Sequence, residues 1–453
     1  MEDFDPVAYI NEPRWRKVSL GLDRTKLLLE LLGRPQDELR FVHVAGTNGK
    51  GSVSKYLACV LRAAGYRTGL YTSPYIECFE DRIQVDGRNI SADELMAATL
   101  PVRDAAREVE ARLGEHPTEF ELMTAVALVH YANAGCDIVS FEVGMGGRLD
   151  STNAIDAPEV AVIARLGLDH TAVLGDTLAA IAGEKAGIIK DGSPVVSWPQ
   201  EPEAMEVIER AAAEHGDALR VPDFSQLQAG RVECREDAEG APAAPMRPFS
   251  YRGRDFETQL LGSYQPANAA LALEVLQQLR ELGWEIPDEA VSAGIAEARW
   301  PGRFEVVEAG EGRQTVIVDG GHNPQGAQAL VDSLNDVFPG QRPVFVMGVL
   351  ADKDYRCMLR TVLPLAGAVL AVTPESPRAL SAEDLAAEAE RALDEQEAAA
   401  PACEGGEGAA RPRVEAVGDM RAAVARARQL AGDEGMICGF GSLYDVAAFK
   451  AAL

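Results

Sequence analysis

Short apolar runs alternate with stretches of helical spacing along nearly the whole chain, the pattern of an α/β fold built on parallel strands. Phe41-Val-His-Val-Ala45 reads as a strand that runs into a turn at Gly46. Residues 52–64 then carry helical spacing, and Gly69-Leu-Tyr71 reads as the next strand. Residues 137–143 and 160–166 predict two more strands, one ending at Gly144 and the other just before Asp169-His170. Ser91-Ala-Asp-Glu94 has the serine-to-glutamate spacing of a capping box and predicts a helix start. A turn-rich hinge at Trp300-Pro-Gly302 precedes strand candidates at 315–319, 344–349, 368–373 and 435–439, separated by helical stretches. Two segments break the alternation. Gln226–Pro248 is rich in Gly, Ala, Pro and charge, and Glu395–Pro412 is low in complexity; both are expected to be surface loops or linkers. There are no internal repeats.

A length of 453 residues exceeds one ordinary core and predicts two domains. No apolar run is long enough to span a bilayer, and the acid-containing stretch from Met1 to Asn11 has no signal core, so the expected location is cytoplasmic. The seven cysteines are dispersed, with no CxxC pair, and read as reduced thiols rather than a disulfide frame or a zinc site. With 43 basic against 71 acidic residues the net charge is -28, which argues against nucleic acid as the partner. A site for an anionic ligand must therefore be locally basic or neutralised by metal ions.

The strongest local signal is Gly46-Thr-Asn-Gly-Lys-Gly-Ser52, which follows a strand and opens a helix. Its glycines allow backbone N–H groups to turn toward one point, and the helix N-terminus adds partial positive charge. Lys50 can reach β- and γ-phosphates, and Ser52 can contact phosphate or magnesium. Thr47, Asn48, Gly49, Lys50, Gly51 and Ser52 are thus the candidate ATP-binding loop, although it is shorter than the usual GxxxxGK[ST] form. The expected architecture is a P-loop ATPase-type N-terminal domain with a mostly parallel sheet, residues 1–299. A smaller Rossmann-like α/β domain, residues 300–453, follows it. Glu142 and His170 end predicted strands and Ser73 follows another, and ligands gather at that edge of open α/β sheets.

The shortened loop resembles that of the Mur-type ligases. An ordered series of further motifs resembles their folate branch: Tyr71-Thr-Ser-Pro74, Phe79-Glu-Asp-Arg-Ile83, Thr118-Glu-Phe-Glu121, the run from Glu142 to Asn153, Leu168-Asp-His170, Glu184–Lys190, Gly262–Asn268, Arg299–Glu305, Asp319-Gly-Gly-His-Asn-Pro324, Gly348–Asp354 and Gly441-Ser-Leu-Tyr444. Any one is weak; the ordered set, covering nearly the full chain, is specific. The resemblance departs at Tyr75, where many relatives have His or Phe, and at Gly321, where Ala is commoner.

The resemblance implies an ATP-dependent ligase that adds L-glutamate to a reduced folate through an acyl phosphate. It implies that Ser73, Glu142 and His170 bind magnesium (Mg2+), with a carbamylated Lys185 beside a second ion, and it leaves room for a monovalent cation. Lys50, His170 and Lys185 are the implied catalytic group. A carbamate would turn a cation that repels metal into an anion. Taken alone, Lys185 reads as a solvent-facing lysine of a helix opened by Asp176-Thr177. Asn268, Arg303, Asp319 and His322 match nucleotide-contacting positions; Asp319, ending a strand, could accept ribose hydroxyls. Thr118, Phe120 and Glu121 match the pterin pocket, with an aromatic face for the ring and a carboxylate for its amino edge. Asp150 and Ser19-Leu-Gly-Leu22 match positions that contact the pteroate or lie in the substrate segment. His43 and His130, on apolar elements, read as structural, and His116 and His215 as surface residues. The partners implied are ATP, L-glutamate and a reduced folate, with no nucleic acid, no membrane and a monomeric enzyme, and with substrate between the domains. Within the branch the motifs lean toward polyglutamylation, with dihydropteroate as a second acceptor. Two rivals stay in view. A peptidoglycan ligase would need a UDP-sugar-binding domain, and only 45 residues precede the loop. A nucleotide-gated binding module would hydrolyse ATP without regard to glutamate or folate.

Overall fold

The computed structural model describes residues 4–12, 21–233, 244–309, 313–399 and 411–453. Eight strands form the first sheet: β1 Phe41–Ala45, β2 Thr68–Tyr71, β3 Ile83–Val85, β4 Arg88–Asn89, β5 Ile138–Glu142, β6 Val160–Ile163, β7 Val195–Ser197 and β8 Leu219–Arg220. Their order is β4-β3-β2-β5-β1-β6-β7-β8. The pairs from β2 through β8 are parallel, and β3 and β4 add an antiparallel edge that the sequence pattern did not predict. β1 and β5 are buried at every position, which is why they read as continuous apolar runs rather than as alternation. A small sheet follows, with β9 Leu227–Ala229, β10 Arg247–Tyr251 and β11 Arg254–Thr258 in the order β11-β10-β9. The third sheet holds β12 Glu305–Glu308, β13 Thr315–Asp319, β14 Val344–Met347, β15 Ala368–Ala371, β16 Arg413–Ala416 and β17 Met436–Phe440 in the order β12-β13-β17-β14-β15-β16. It is parallel except for β12. No helix among the described residues is long and apolar enough to cross a membrane.

The chain divides into two compact units, Met1–Gln228 with Phe249–Thr258 and Pro266–Arg299, and Ala229–Pro248 with Gln259–Gln265 and Trp300–Leu453. The expected cut after residue 299 is one of the division points. Two earlier segments, however, pack with the second unit and correct the simple two-block picture. The expectation of a surface loop over Gln226–Pro248 is corrected on the same ground. Arg247 is 2% exposed, its Nε donates to the Leu261 carbonyl at 2.7 Å, and its guanidinium pairs with Asp336. Residues 234–243 of that segment lie outside the described residues. The expected low-complexity linker begins inside the helix Ala382–Ala399 and ends beside β16; residues 400–410 lie outside the description.

In the first unit the helix Lys50–Ala63 follows β1 and crosses the helix Asp288–Glu297 at Gly294. A Cβ at Gly294 would lie 2.4 Å from Val60 Cα and 2.5 Å from its nitrogen. Backbone atoms cannot move aside as a side-chain tip can. Gly294→Ala is therefore expected to destabilise the protein by about 1–3 kcal/mol, read as a lowered midpoint in thermal or urea unfolding. An unchanged midpoint would show that this crossing is looser than described.

Candidate active site

Strand register brings four chain segments to one edge of the first sheet. Val44 pairs with Glu142, Ala45 with Ile163, and Tyr71 with Phe141. The residues that follow β1, β2, β5 and β6 therefore leave the sheet side by side. The loop after β1 is closely packed. A Cβ on Gly46 would sit 2.7 Å from the Ala164 Cβ, and one on Gly49 would sit 2.6 Å from Asn268 Oδ1. Gly49 has φ +87° and stands immediately before the helix Lys50–Ala63, a conformation that suits glycine. The amides of Thr47 and Asn48 both donate to the Arg165 carbonyl at 3.0 Å, and the Thr47 hydroxyl bonds Gly167. The first half of the loop is thus tied down, and its second half is a helix N-terminus, whose leading amides have no acceptor within the helix. Gly51 and the buried Ser52 lie in that first turn.

Lys50, Ser73 and Glu142 come together here. Lys50 Nζ is 3.8 Å from Glu142 Oε1 and 3.5 Å from the Thr47 carbonyl. The Ser73 amide approaches Glu142 Oε2 at 3.4 Å. Glu142 is 4% exposed, so it is no water-facing strand-end acid. Lys185 is 5% exposed, against its reading as a solvent-facing helix lysine, and Nζ donates to the Gly46 carbonyl at 2.9 Å. Burial pulls its pKa down to about 7; Lys50 pushes the same way, and Asp169 and Asp150 push against both. His170 has φ +50°, precedes the short helix Thr171–Leu174, and keeps a 43% exposed side chain with Nε2 4.0 Å from the Asp169 carboxylate. A carboxylate, a hydroxyl-bearing residue and an imidazole along one edge fit a hard cation that takes most of its ligands from phosphates and water. Among the described residues no group of three or more His, Cys, Asp or Glu side chains is poised to hold a metal. The protein alone therefore offers a partial set of ligands.

The residues matched to a pterin pocket divide in two. Phe120 is half-buried and lies over Gly144, where a Cβ would come within 2.3 Å of its ring. Its ring is therefore placed at the strand edge rather than lost in the core. Thr118 and Glu121, in contrast, form a second capping box at the start of the helix Glu119–Ala134. Glu121 also accepts from Arg24 Nε at 3.1 Å and from the Thr25 hydroxyl at 3.3 Å. The expected carboxylate for a pterin amino edge is thus already engaged inside the fold. Asp150 accepts from the Met145 amide at 2.8 Å and from the amide and hydroxyl of Thr152. Burial raises its pKa, opposed by these donors, and its main work is to shape the loop after β5. His43 is buried and bonds the Thr152 hydroxyl at 2.9 Å, as a structural histidine should. The segment 13–20, which holds Ser19, lies outside the described residues.

In the second unit Asp319 ends β13. Its Oδ2 accepts from the Phe304 amide at 2.8 Å and the Tyr264 hydroxyl at 3.4 Å, and Oδ1 accepts from the Gly321 amide at 2.7 Å. Burial raises its pKa, and Arg303 pulls it back. The expected ribose acceptor is thus occupied as an organiser of the turn that carries His322. The His322 ring lies 3.2 Å from the Gly320 carbonyl. Sequence reasoning missed two contributors: Arg24 on Glu121 and the Arg165 carbonyl under the loop.

Two family models match the chain: the Mur ligase middle domain over residues 44–276 and the Mur ligase glutamate ligase domain over residues 302–443. A Bacillus subtilis dihydrofolate synthase/folylpolyglutamate synthase is 39% identical over 373 residues, 81% of this chain and 84% of that protein. A Lacticaseibacillus casei folylpolyglutamate synthase is 37% identical, with 83% and 86% covered. Among solved structures, a Mycobacterium tuberculosis folylpolyglutamate synthase complexed with ADP superposes with a TM-score of 0.83 at 30% identity, covering 99% of this chain and 98% of that one.

Proposed function

The chain belongs to the folylpolyglutamate synthase and dihydrofolate synthase family of Mur ligases, and from that membership we propose that it extends reduced folates with γ-linked glutamate and also accepts dihydropteroate. It is an ATP-dependent ligase that joins glutamate to folate. The observation that carries the reading is the meeting of Lys50, Ser73 and Glu142 at the edge where the phosphate loop opens its helix.

A carboxylate does not become an amide unaided, because the leaving oxygen is too basic. Transfer of the ATP γ-phosphoryl group to the folate carboxylate gives an acyl phosphate and ADP; the glutamate amine then attacks the carbonyl carbon and inorganic phosphate leaves. The protein's share is positioning and charge stabilisation. The helix N-terminus at Lys50 cradles phosphate oxygens, and the Lys50 ammonium balances charge as the γ-phosphoryl group moves. Asn268, packed on Gly49, fixes the loop from below. Phe120 offers a ring face to the flat pterin. Arg303 and His322 remain the nucleotide positions that the family resemblance implies. Ser73, Glu142 and His170 would hold magnesium, which neutralises phosphate charge when bound. Lys185 is suited to carbamylation, since an amine with a pKa near 7 is largely neutral at slightly alkaline pH and can add CO2 with loss of a proton. A carbon-13 carbamate resonance from labelled bicarbonate, absent in Lys185→Ala, is the expected sign; no such resonance in the wild type refutes it.

The deciding measurement is ATP- and magnesium-dependent incorporation of labelled glutamate with dihydropteroate or tetrahydrofolate as acceptor. Incorporation into both is expected. Incorporation into tetrahydrofolate alone would narrow the reading to a dedicated polyglutamate synthase, and incorporation into neither would overturn it.

A further inference from the structure

Strand β6 ends at Ile163, and the phosphate loop is built on the residues just beyond it. The amides of Thr47 and Asn48 share the Arg165 carbonyl at 3.0 Å, and the Thr47 hydroxyl exchanges bonds with the Gly167 carbonyl and amide at 3.1 Å. A Cβ on Gly46 would meet Ala164, and Lys185 Nζ reaches the Gly46 carbonyl from the other side at 2.9 Å. The Arg165 peptide is thus the floor of the loop. It has left the sheet, however, and needs bonds from elsewhere to stay in place. The Trp198 amide still donates to the Ile163 carbonyl at 2.8 Å, but Pro199 has no N–H with which to continue the ladder between β6 and β7.

One side chain takes over from the ladder. Gln200 follows β7 and is half-buried. Its Nε2 donates to the Ala164 carbonyl at 3.0 Å, and its Oε1 accepts from the Leu166 amide at 3.0 Å. Both ends of the carboxamide are therefore engaged, and they bracket the residue whose carbonyl takes two bonds from the phosphate loop. The bracket needs a donor and an acceptor on one small planar group, which a carboxamide supplies; a carboxylate would supply acceptors alone. With residues 164 and 166 both fixed, the peptide between them has little freedom to turn its carbonyl away from Thr47 and Asn48. None of the roles above uses Gln200.

Resting on the reading that this loop carries the phosphates of ATP, we propose that Gln200 is a positioning residue for the nucleotide. It acts through the Arg165 carbonyl rather than on a reactant, and it holds the loop so that the helix N-terminus and Lys50 face the phosphates. Hydrogen bonds to phosphate oxygens weaken steeply once donors lose their alignment, so a loop released on one side loses affinity for nucleotide before it loses its fold. The folate side does not share this dependence, because Phe120 lies over Gly144 on the segment after β5.

The test is Gln200→Met in the full-length enzyme, which keeps the length and bulk of the side chain and removes both bonds. Kd for ADP with magnesium, measured by calorimetry without folate or glutamate, is expected to rise about tenfold or more. KM for ATP should rise with it, while KM for tetrahydrofolate stays within about twofold of wild type. A side chain that only held the fold together would act differently. Its loss would lower the melting temperature and the fraction of active enzyme, so that kcat falls while Kd for ADP stays unchanged, and that result would overturn the proposal. Gln200→Glu keeps the bond from the Leu166 amide and sets a carboxylate oxygen against the Ala164 carbonyl. It guards against a folding defect in the first variant; its Kd for ADP should also rise, and an unchanged value would again overturn the assignment. ADP binding needs no acceptor, so a wild-type enzyme that binds ADP and incorporates no glutamate would refute the ligase reading alone.

Discussion

Lys50→Ala is expected to cut ADP formation by about a thousandfold while leaving the fold intact. The side chain makes two contacts, to the Thr47 carbonyl and to Glu142, and neither is a bond that holds elements together. The helix it opens is instead anchored by Tyr56, Leu57, Val60 and Leu61, all fully buried. The cation's value lies in what happens to charge. As the γ-phosphoryl group leaves ADP, negative charge shifts onto the leaving bridge oxygen, and a fixed ammonium in a partly water-excluded site stabilises it far better than solvent does. Lys50→Arg should recover little, because a planar guanidinium does not place its charge where a compact ammonium does. ADP release measured beside a melting curve decides the matter. A variant that keeps more than a tenth of its activity, or one that loses its fold, would remove Lys50 from the centre of the reaction.

Much of this was legible in the sequence wherever the signal was local. Strand β13 runs over the residues its apolar spacing marks, and Ser91 and Glu94 cap their helix reciprocally, with the Ser91 amide 2.8 Å from the Glu94 carboxylate. The helix after β1 starts at Lys50, two residues before the apolar pattern does, because Gly49 rather than a side chain sets its start. What failed was of two kinds. Edge strands such as β12 are half-buried throughout and carry acids, and β12 pairs irregularly between Val306 and Glu308, so no period of two survives to be read. Unit membership failed because it depends on distant contacts. Nothing near Arg247 announces that it will bond Leu261 and Asp336.

The site divides along the same line. The phosphate loop is contiguous and was read from the chain. Thr118-Glu-Phe-Glu121 has the spacing of Ser91-Ala-Asp-Glu94, and the structure gives both the same task, yet family resemblance alone assigns the former to substrate chemistry. Resemblance points to the segment that holds Phe120 without saying which side chains face a ligand. Asp150 and Asp319 teach the same lesson. Each ends or follows a strand at the ligand edge, and each spends its oxygens on backbone amides that shape the loop there. Their substitution would disturb binding by moving neighbours, whether or not they touch a substrate.

Lys185 combines both kinds of information and yields the other large effect. It shares a helical face with Ile181 and Ala182, so the pattern could have shown it buried. In the unfolded chain a lysine stays protonated to about pH 10.4, whereas here burial holds it near 7. Between those values the unfolded chain binds one more proton at this position than the folded protein does, so stability rises with pH across that window. Below about pH 7 both states are protonated and the full penalty of a buried ammonium is felt. Lys185→Met removes that penalty and forfeits one hydrogen bond to the Gly46 carbonyl, about 1 kcal/mol, against a burial cost on the order of a few kcal/mol. The variant should therefore melt above wild type at pH 6, and the gap should close as pH approaches 10. Its ligase activity should fall by about a hundredfold or more, in line with loss of one preorganised charged group. Melting curves at pH 6, 8 and 9.5 with ligase assays on the same samples read both effects. A stability difference that does not change with pH would mean that Lys185 is not the strained cation its burial makes it, and full activity in the variant would remove it from the chemistry. If both expectations hold, the fold tolerates a destabilising lysine because a neutral amine at that point can take up CO2.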